Sequence, residues 1–163
     1  MKEFRLPPGT ELEVPAQILE VPFFATLSSR IVRALIRSCT VVECEPGDYL
    51  IREGTRDDSL LFLLSGELQI EKDGKQLAGA WKKGEMLGEI SYLRGTPRSA
   101  TLIAHGRVQC LRLGPGFLEQ LSEADQHAYH AALYRFLAGV LADRLEVTSR
   151  KLVRMEEREV AEV

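Results

Sequence analysis

Between Thr40 and Leu113 the chain is cut into short apolar segments by turn residues, and this spacing restricts the fold more than any other feature. The segments read TVVECE, YLIRE, SLLFLLSG, ELQIE, QLAGAW, ATLIA and RVQCLRL. Between them lie PGD, GTRDD, KDGK, KKGE and HG. Runs of about four to eight residues, punctuated every eight to twelve, indicate an antiparallel sandwich or small barrel. Asp73-Gly74 between ELQIEK and KQLAGA is a hairpin signal, because both residues tolerate the left-handed backbone of a tight turn.

The flanks have a different texture. Residues 1–20 carry Pro7, Pro8, Gly9 and Pro15 and read as an N-terminal arm with at most one helical turn. In LSSRIVRALIRS, Leu27, Ile31, Leu35 and Ile36 recur at helical spacing, with Ser28 or Ser29 as the cap. From Gly114, PGFLEQLS begins a short helix, and the following ADQHAYHAALYRFLAGVLADRLEVTSRKLVRMEEREV contains no proline. Leu137, Leu141, Leu145, Thr148, Leu152 and Met155 form one stripe on a long amphipathic helix, widened by Phe136 and Val140. The expected fold is mainly β with flanking helices: a barrel of about eight strands over 40–113, a short helix before it, and C-terminal helices over about 115–160. A domain over 21–163 follows an arm over 1–20. The leucine stripe is longer than a small barrel can cover, so a homodimer through this helix is expected.

The net charge of −3 offers no global basic field for nucleic acid. Cys39, Cys44 and Cys110 are an odd number without metal spacing, which suits reduced thiols. The start, MKEFRLPPGTELEVP, has no apolar core, and no apolar run reaches membrane-spanning length. The expected location is the cytoplasm, with no membrane partner.

The chemistry concentrates in GEMLGEISYLRGTPRSAT, residues 84–101. Gly84 and Gly88 let the backbone approach a ligand closely. EISYL after Gly88 is long enough for one helical turn whose first amides face an anion. Pro97 sets the approach to Arg98, which re-enters the apolar strand SATLIA and needs a partner there. Its planar fork suits two phosphate oxygens. Glu89 repels phosphate but accepts hydrogen bonds from hydroxyls such as a ribose 2′-OH. Phosphate plus ribose describes a nucleotide. A second reading stays open on these residues alone: Glu89 and Arg98 simply pair with each other.

The stretch resembles the phosphate-binding cassette of cyclic nucleotide-binding domains, whose pattern is Gly-Glu, six to eight loop residues, then Arg-Ser/Thr/Ala-Ala. GEISYLRGTPRSA satisfies it throughout. The resemblance extends over about 20–155, through VPFF, ECEPGDYLIREG and LLSGELQI. It implies an eight-stranded β-roll that binds a cyclic nucleotide. Arg98 would pair with the cyclic phosphate, and Ser99 would add its hydroxyl and amide beside Ala100. Gly88 and the amides of Ile90 and Ser91 would close round the phosphate, and Glu89 would take the ribose 2′-OH. ADRLEVTSRKL resembles the long helix of the catabolite activator branch of the family. That likeness implies that Thr148 reads the adenine amino group, that Ser149 reaches the ligand of a partner subunit, and that Arg144 supports the same region. Ser99 by itself is ambiguous between cAMP and cGMP; the helix favours cAMP.

Other features carry less. No recognition helix for DNA fits in MEEREVAEV, so a stand-alone regulatory module is expected, acting by ligand-dependent repositioning of the helix on a downstream protein partner. The competing reading is a nucleotide-independent interaction or dimerisation module. His127 and His130 sit three apart on the helix but lack a completing acid or cysteine, so no metal site is expected. Ser99 has no His-Asp partner in sequence reach; no catalytic residue, enzymatic activity or cofactor is expected. Trp81 reads as a core residue rather than a stacking platform. Arg150, Lys151, Arg154 and Arg158 alternate with Glu156, Glu157 and Glu159 as a salt-laced helix face.

Overall fold

The computed structural model describes residues 1–5, 20–81 and 83–161, without the side chains of 78–80, 115, 156 and 158–161. Among the described residues, nine strands form two antiparallel sheets. They are β1 (Lys2–Arg5), β2 (Cys39–Cys44), β3 (Tyr49–Ile51), β4 (Leu60–Ser65), β5 (Leu68–Lys72), β6 (Lys75–Trp81), β7 (Met86–Leu87), β8 (Thr101–Ala104) and β9 (Val108–Leu113). One sheet runs β1-β2-β9-β4-β7 and the other β3-β8-β5-β6. The helices are α1 (Pro22–Ala25), α2 (Ser29–Ser38), α3 (Glu89–Arg94) and α4 (Glu123–Ala161), with a 3₁₀ turn at Pro115–Gln120.

Seven strands, β2 to β6, β8 and β9, arise from the seven segments expected between Thr40 and Leu113, and the two-residue β7 forms inside the glycine-rich stretch that reads as a loop. The ninth, β1, comes from the arm. Lys2–Arg5 pairs with β2 in the register Lys2↔Glu43 to Arg5↔Thr40, and Glu3 bridges to Arg112 of β9. Four polar and aromatic residues in KEFR give little strand signal by themselves; an open edge on β2 supplies the pairing. The helical turn allowed for the arm falls mostly on 6–19, outside the described residues. At the β5–β6 turn, Asp73 and Gly74 both have positive φ (50° and 72°), the geometry a two-residue hairpin demands.

The sheet containing β4 is covered on both faces, which explains why SLLFLLS does not alternate with polar residues. Leu60, Phe62 and Leu64 point toward the helices; Leu61 and Leu63 point toward the other sheet. The same split sends Val41, Leu111 and Leu113 outward and Val42, Cys110 and Val108 inward. The helix-side core stacks Phe23 on Phe62 at 5.7 Å and closes on Tyr129, Leu133 and Leu137 of α4. Ser28 caps α2 by accepting from the Ile31 amide at 3.4 Å. Burial pushes the thiols of Cys39 and Cys110 up to about 12, so both are inert.

The single leucine stripe expected on α4 divides into two. Tyr129, Leu133 and Leu137 repeat every four residues and bury on the domain. A second seam, Tyr134, Ala138, Leu141, Leu145, Thr148, Leu152 and Met155, repeats four-three along the exposed length. Leu145 is 68% exposed and Met155 62%. Leu137 therefore belongs to the core stripe rather than to the distal seam.

Leu137→Ala opens a cavity in the helix-side core and should cost about 2–5 kcal/mol in urea denaturation. Val153→Ala, at a site 52% exposed and off the seam, should stay within about 0.5 kcal/mol.

Candidate functional site

Arg98 precedes β8 and is only 2% exposed. Burial of a cation on this scale requires partners on every side, and the loop before β4 supplies them. The Arg98 amide donates to the Thr55 carbonyl, and the Gly54 amide donates to the Arg98 carbonyl, both at 2.8 Å. At the guanidinium, Nη2 donates to the Ser59 carbonyl at 2.7 Å and its hydroxyl at 3.2 Å, and contacts Asp57 at 2.8 Å. Nη1 donates to the Gly88 carbonyl at 3.1 Å. The Nε–H is buried and makes no hydrogen bond. Burial alone would raise the Asp57 carboxyl. Hydrogen bonds from Arg98 and Ser59 outweigh it and hold the group below its ordinary value.

Gly88 is the N-cap of α3 with φ of 81°, a left-handed backbone. A Cβ built there would lie 2.0 Å from Arg98 Nη1. Glycine is therefore what lets the carbonyl turn onto the guanidinium. The next residue, Glu89, is 2% exposed, and Ser91 is 1% exposed. Glu89 does not use Arg98 as its ion-pair partner. It pairs with Arg144, which crosses from α4 and also donates to the Met86 carbonyl at 2.8 Å. The simple Glu89–Arg98 bridge left open by the sequence is thereby replaced by two separate pairs. Burial pushes the Glu89 carboxyl above its ordinary value, against the pull of Arg144.

The two pairs border one cavity of about 340 Å³. Gly88, Glu89, Ile90, Ser91, Arg98, Ser99, Ala100 and Thr148 all line it, from α3 and its cap, the segment before β8, and α4. Ser149 does not line it and faces solvent. Apolar walls come from Ile51, Ile70, Leu87 and Leu102. Chemically this is one end with a buried cation and short-helix amides, an acid beside it, and an apolar remainder. Such a site suits a small anion joined to a hydroxyl-bearing, partly apolar body.

Sequence reasoning missed Asp57, which reads only as part of a turn, and Ser59, which reads only as the start of a strand segment. The one signal was general: a buried arginine must find oxygens. Trp81 packs on the core as expected and also reaches the cavity. It is half-buried, with Arg144 over its ring at 3.8 Å from the centroid. His130 stacks against Tyr134 at 6.1 Å. Among the described residues no three His, Cys, Asp or Glu converge on a metal position.

Comparison with known proteins places these features in a wider group. The family profile for the cyclic nucleotide-binding domain matches residues 41–125. The chain is 32% identical over 106 residues to a cAMP-dependent protein kinase regulatory subunit of Debaryomyces hansenii, covering 64% of this chain and 24% of that protein. It is 28% identical over 110 residues to a cGMP-dependent protein kinase of Eimeria tenella, covering 68% of this chain and 11% of the relative. It therefore spans a quarter or less of the length of these curated relatives. Among solved structures, a cyclic nucleotide-binding domain from Methylobacillus flagellatus KT superposes with a TM-score of 0.72 at 26% identity. That match covers 85% of this chain and 83% of the other.

Two measurements check the site's internal geometry. Gly88→Ala should destabilise the fold by at least about 1–2 kcal/mol in urea denaturation, from the left-handed backbone and the collision with Arg98. The lowered carboxyl of Asp57 contributes stability that is present above its unfolded value of 3.8 and is lost as pH falls through the folded value. Asp57→Asn should accordingly flatten the acid limb of the stability–pH curve below about pH 4.

Proposed function

Because the chain belongs to the cyclic nucleotide-binding domain family, we propose that its 340 Å³ cavity receives a cyclic nucleotide and that the chain is a sensor or regulatory module. The observation that carries this reading is the Nε–H of Arg98, buried beside the cavity with no acceptor. An orphaned donor on a buried cation costs about 1–3 kcal/mol, which an incoming phosphate oxygen would recover. The phosphate would compete with Asp57 for the guanidinium. Ser99 and the amides of Ile90 and Ser91 would complete its cradle, and Glu89 would accept the ribose 2′-OH.

Thr148 lines the cavity, and its hydroxyl would meet the adenine amino group there. This supports cAMP over cGMP as ligand, with cGMP as the alternative. The exposed four-three seam of α4 fits a second copy of the same helix in parallel. In that dimer Ser149 would reach the neighbour's ligand. Ligand binding would change how α4 docks, since Arg144 ties the helix to Glu89 at the cavity edge. A two-state shift of this kind is driven by differential affinity alone. The output would pass to a downstream protein partner, with no direct nucleic-acid contact and no reaction catalysed. The module would act in the cytoplasm; no helix among the described residues is long and apolar enough to cross a membrane.

One observation favours a second reading, a nucleotide-independent interaction module. Arg98 and Glu89 already have the internal partners Asp57 and Arg144, so both charges are balanced without a ligand.

Calorimetric titration of nucleotide-stripped protein with cAMP and with cGMP separates the readings. Micromolar or tighter binding of cAMP is expected. Arg98→Ala should weaken it roughly 30- to 150-fold, the loss of charge-assisted bonds worth about 2–3 kcal/mol. Well-folded protein that binds neither nucleotide would leave the interaction module standing. In sedimentation, Leu145→Glu and Leu152→Glu should each convert a dimer to monomer while leaving the domain folded.

A further inference from the structure

Arg144 is the residue through which α4 enters the site, and its guanidinium is engaged in two distinct ways. Its edges are taken by acceptors, the Glu89 carboxylate through Nη1 and the Met86 carbonyl through Nη2. Its face lies on the indole of Trp81, with Cζ 3.8 Å from the ring centroid. A carboxylate and a carbonyl constrain a planar guanidinium within its plane. Because hydrogen bonds tolerate a broad range of angles, they hold the tilt of that plane only loosely. The flat ring of Trp81 fixes the tilt, since a cation is held most strongly over the face of an indole. With edges and face both occupied, a long flexible side chain keeps one orientation.

The placement has a chemical consequence at Glu89. The ion pair uses Oε1 of Glu89. Glu89 and Trp81 both line the cavity from different elements, the start of α3 and the end of β6. We propose that Trp81 is a positioning residue for ligand recognition: it orients Arg144 so that Arg144 holds one carboxylate oxygen of Glu89 and leaves the other for a ligand hydroxyl. The cation also shields the acid from a nearby anion on the same ligand. Trp81 acts through Arg144 and not through direct contact with the ligand. Burial lowers the readiness of Arg144 to carry its charge, and an aromatic face is the kind of surface that offsets such a loss.

This inference rests on the nucleotide reading of the cavity, and its test separates the two. Trp81 is the only tryptophan in the chain, so its emission reports the stack directly. In the full chain without nucleotide, Arg144→Met should change the position or intensity of Trp81 emission. An unchanged spectrum overturns the stack whatever the ligand. Calorimetry with the tighter binder of cAMP and cGMP follows. Trp81→Leu should weaken binding about 3- to 10-fold, while Trp81→Phe, which keeps a ring, should lose at most about 2-fold. In the Arg144→Met background Trp81→Leu should add no further loss. The 2′-deoxy form of the same nucleotide should bind wild type and Trp81→Leu alike. Equal losses in both backgrounds, or with the 2′-deoxy ligand, would make Trp81 a mere wall and overturn the proposal. If Trp81→Leu fails to fold, Trp81→Phe in the same cycle and the ligand-free emission still decide it. Failure of folded wild type to bind either nucleotide would sink the nucleotide reading itself, and is visible before any variant is made.

Discussion

A guanidinium buried to within 2% of full occlusion organises this domain. Arg98 cannot be placed there unless oxygens converge on it, and the chain bends in three places to supply them. The loop from Gly54 to Ser59 wraps both its backbone and its side chain. Gly88 takes a left-handed conformation that only a residue without a Cβ tolerates at that distance. The segment leading into β8 carries Arg98 against that loop. The cavity is a by-product of these demands. Its polar end is polar because a buried cation must be balanced, and its other walls are the ordinary apolar interior of a two-sheet roll.

The second organising element is α4, which does two jobs with one helix. Its first turns close the helix-side core through Tyr129, Leu133 and Leu137. Further along, Arg144 reaches the acid at the cavity and Thr148 borders the same space. Beyond that point its apolar residues face solvent. Arg144, the helix residue paired with Glu89, therefore lies at the boundary between the docked and the free parts of the helix.

Much of the roll was legible from local rules. Turn residues at Pro46-Gly47-Asp48 and Asp73-Gly74 end strands for reasons of backbone sterics, which need no knowledge of the rest of the fold. The helix over 29–38 and its Ser28 cap follow from spacing and side-chain chemistry in the same way. Within the site, Gly88, Glu89 and Arg98 stand out because glycines, an acid and an arginine in an apolar setting have few uses, while their roles and that of Ser99 came from the resemblance to the family's cassette. What stayed hidden were partners distant in sequence. Asp57 lies 41 positions before Arg98, and Arg144 lies 55 after Glu89. Nothing in GTRDDS distinguishes Asp57 from Asp58 until the chain is folded.

By itself the sequence determined the elements, their order and the chemical character of the loop at 84–101, because those depend on periodicity, turn propensity and residue type. Only the tertiary structure decided who pairs with whom. It separated Glu89 from Arg98 and gave each its own partner. It also split the stripe of α4 into a core half and a solvent half, recruited Lys2–Arg5 to an open edge, and laid Arg144 on Trp81. These are outcomes of proximity across the fold. Local propensity is silent about them, because the energy of an ion pair, an edge pairing or a ring contact exists only once distant segments are brought together.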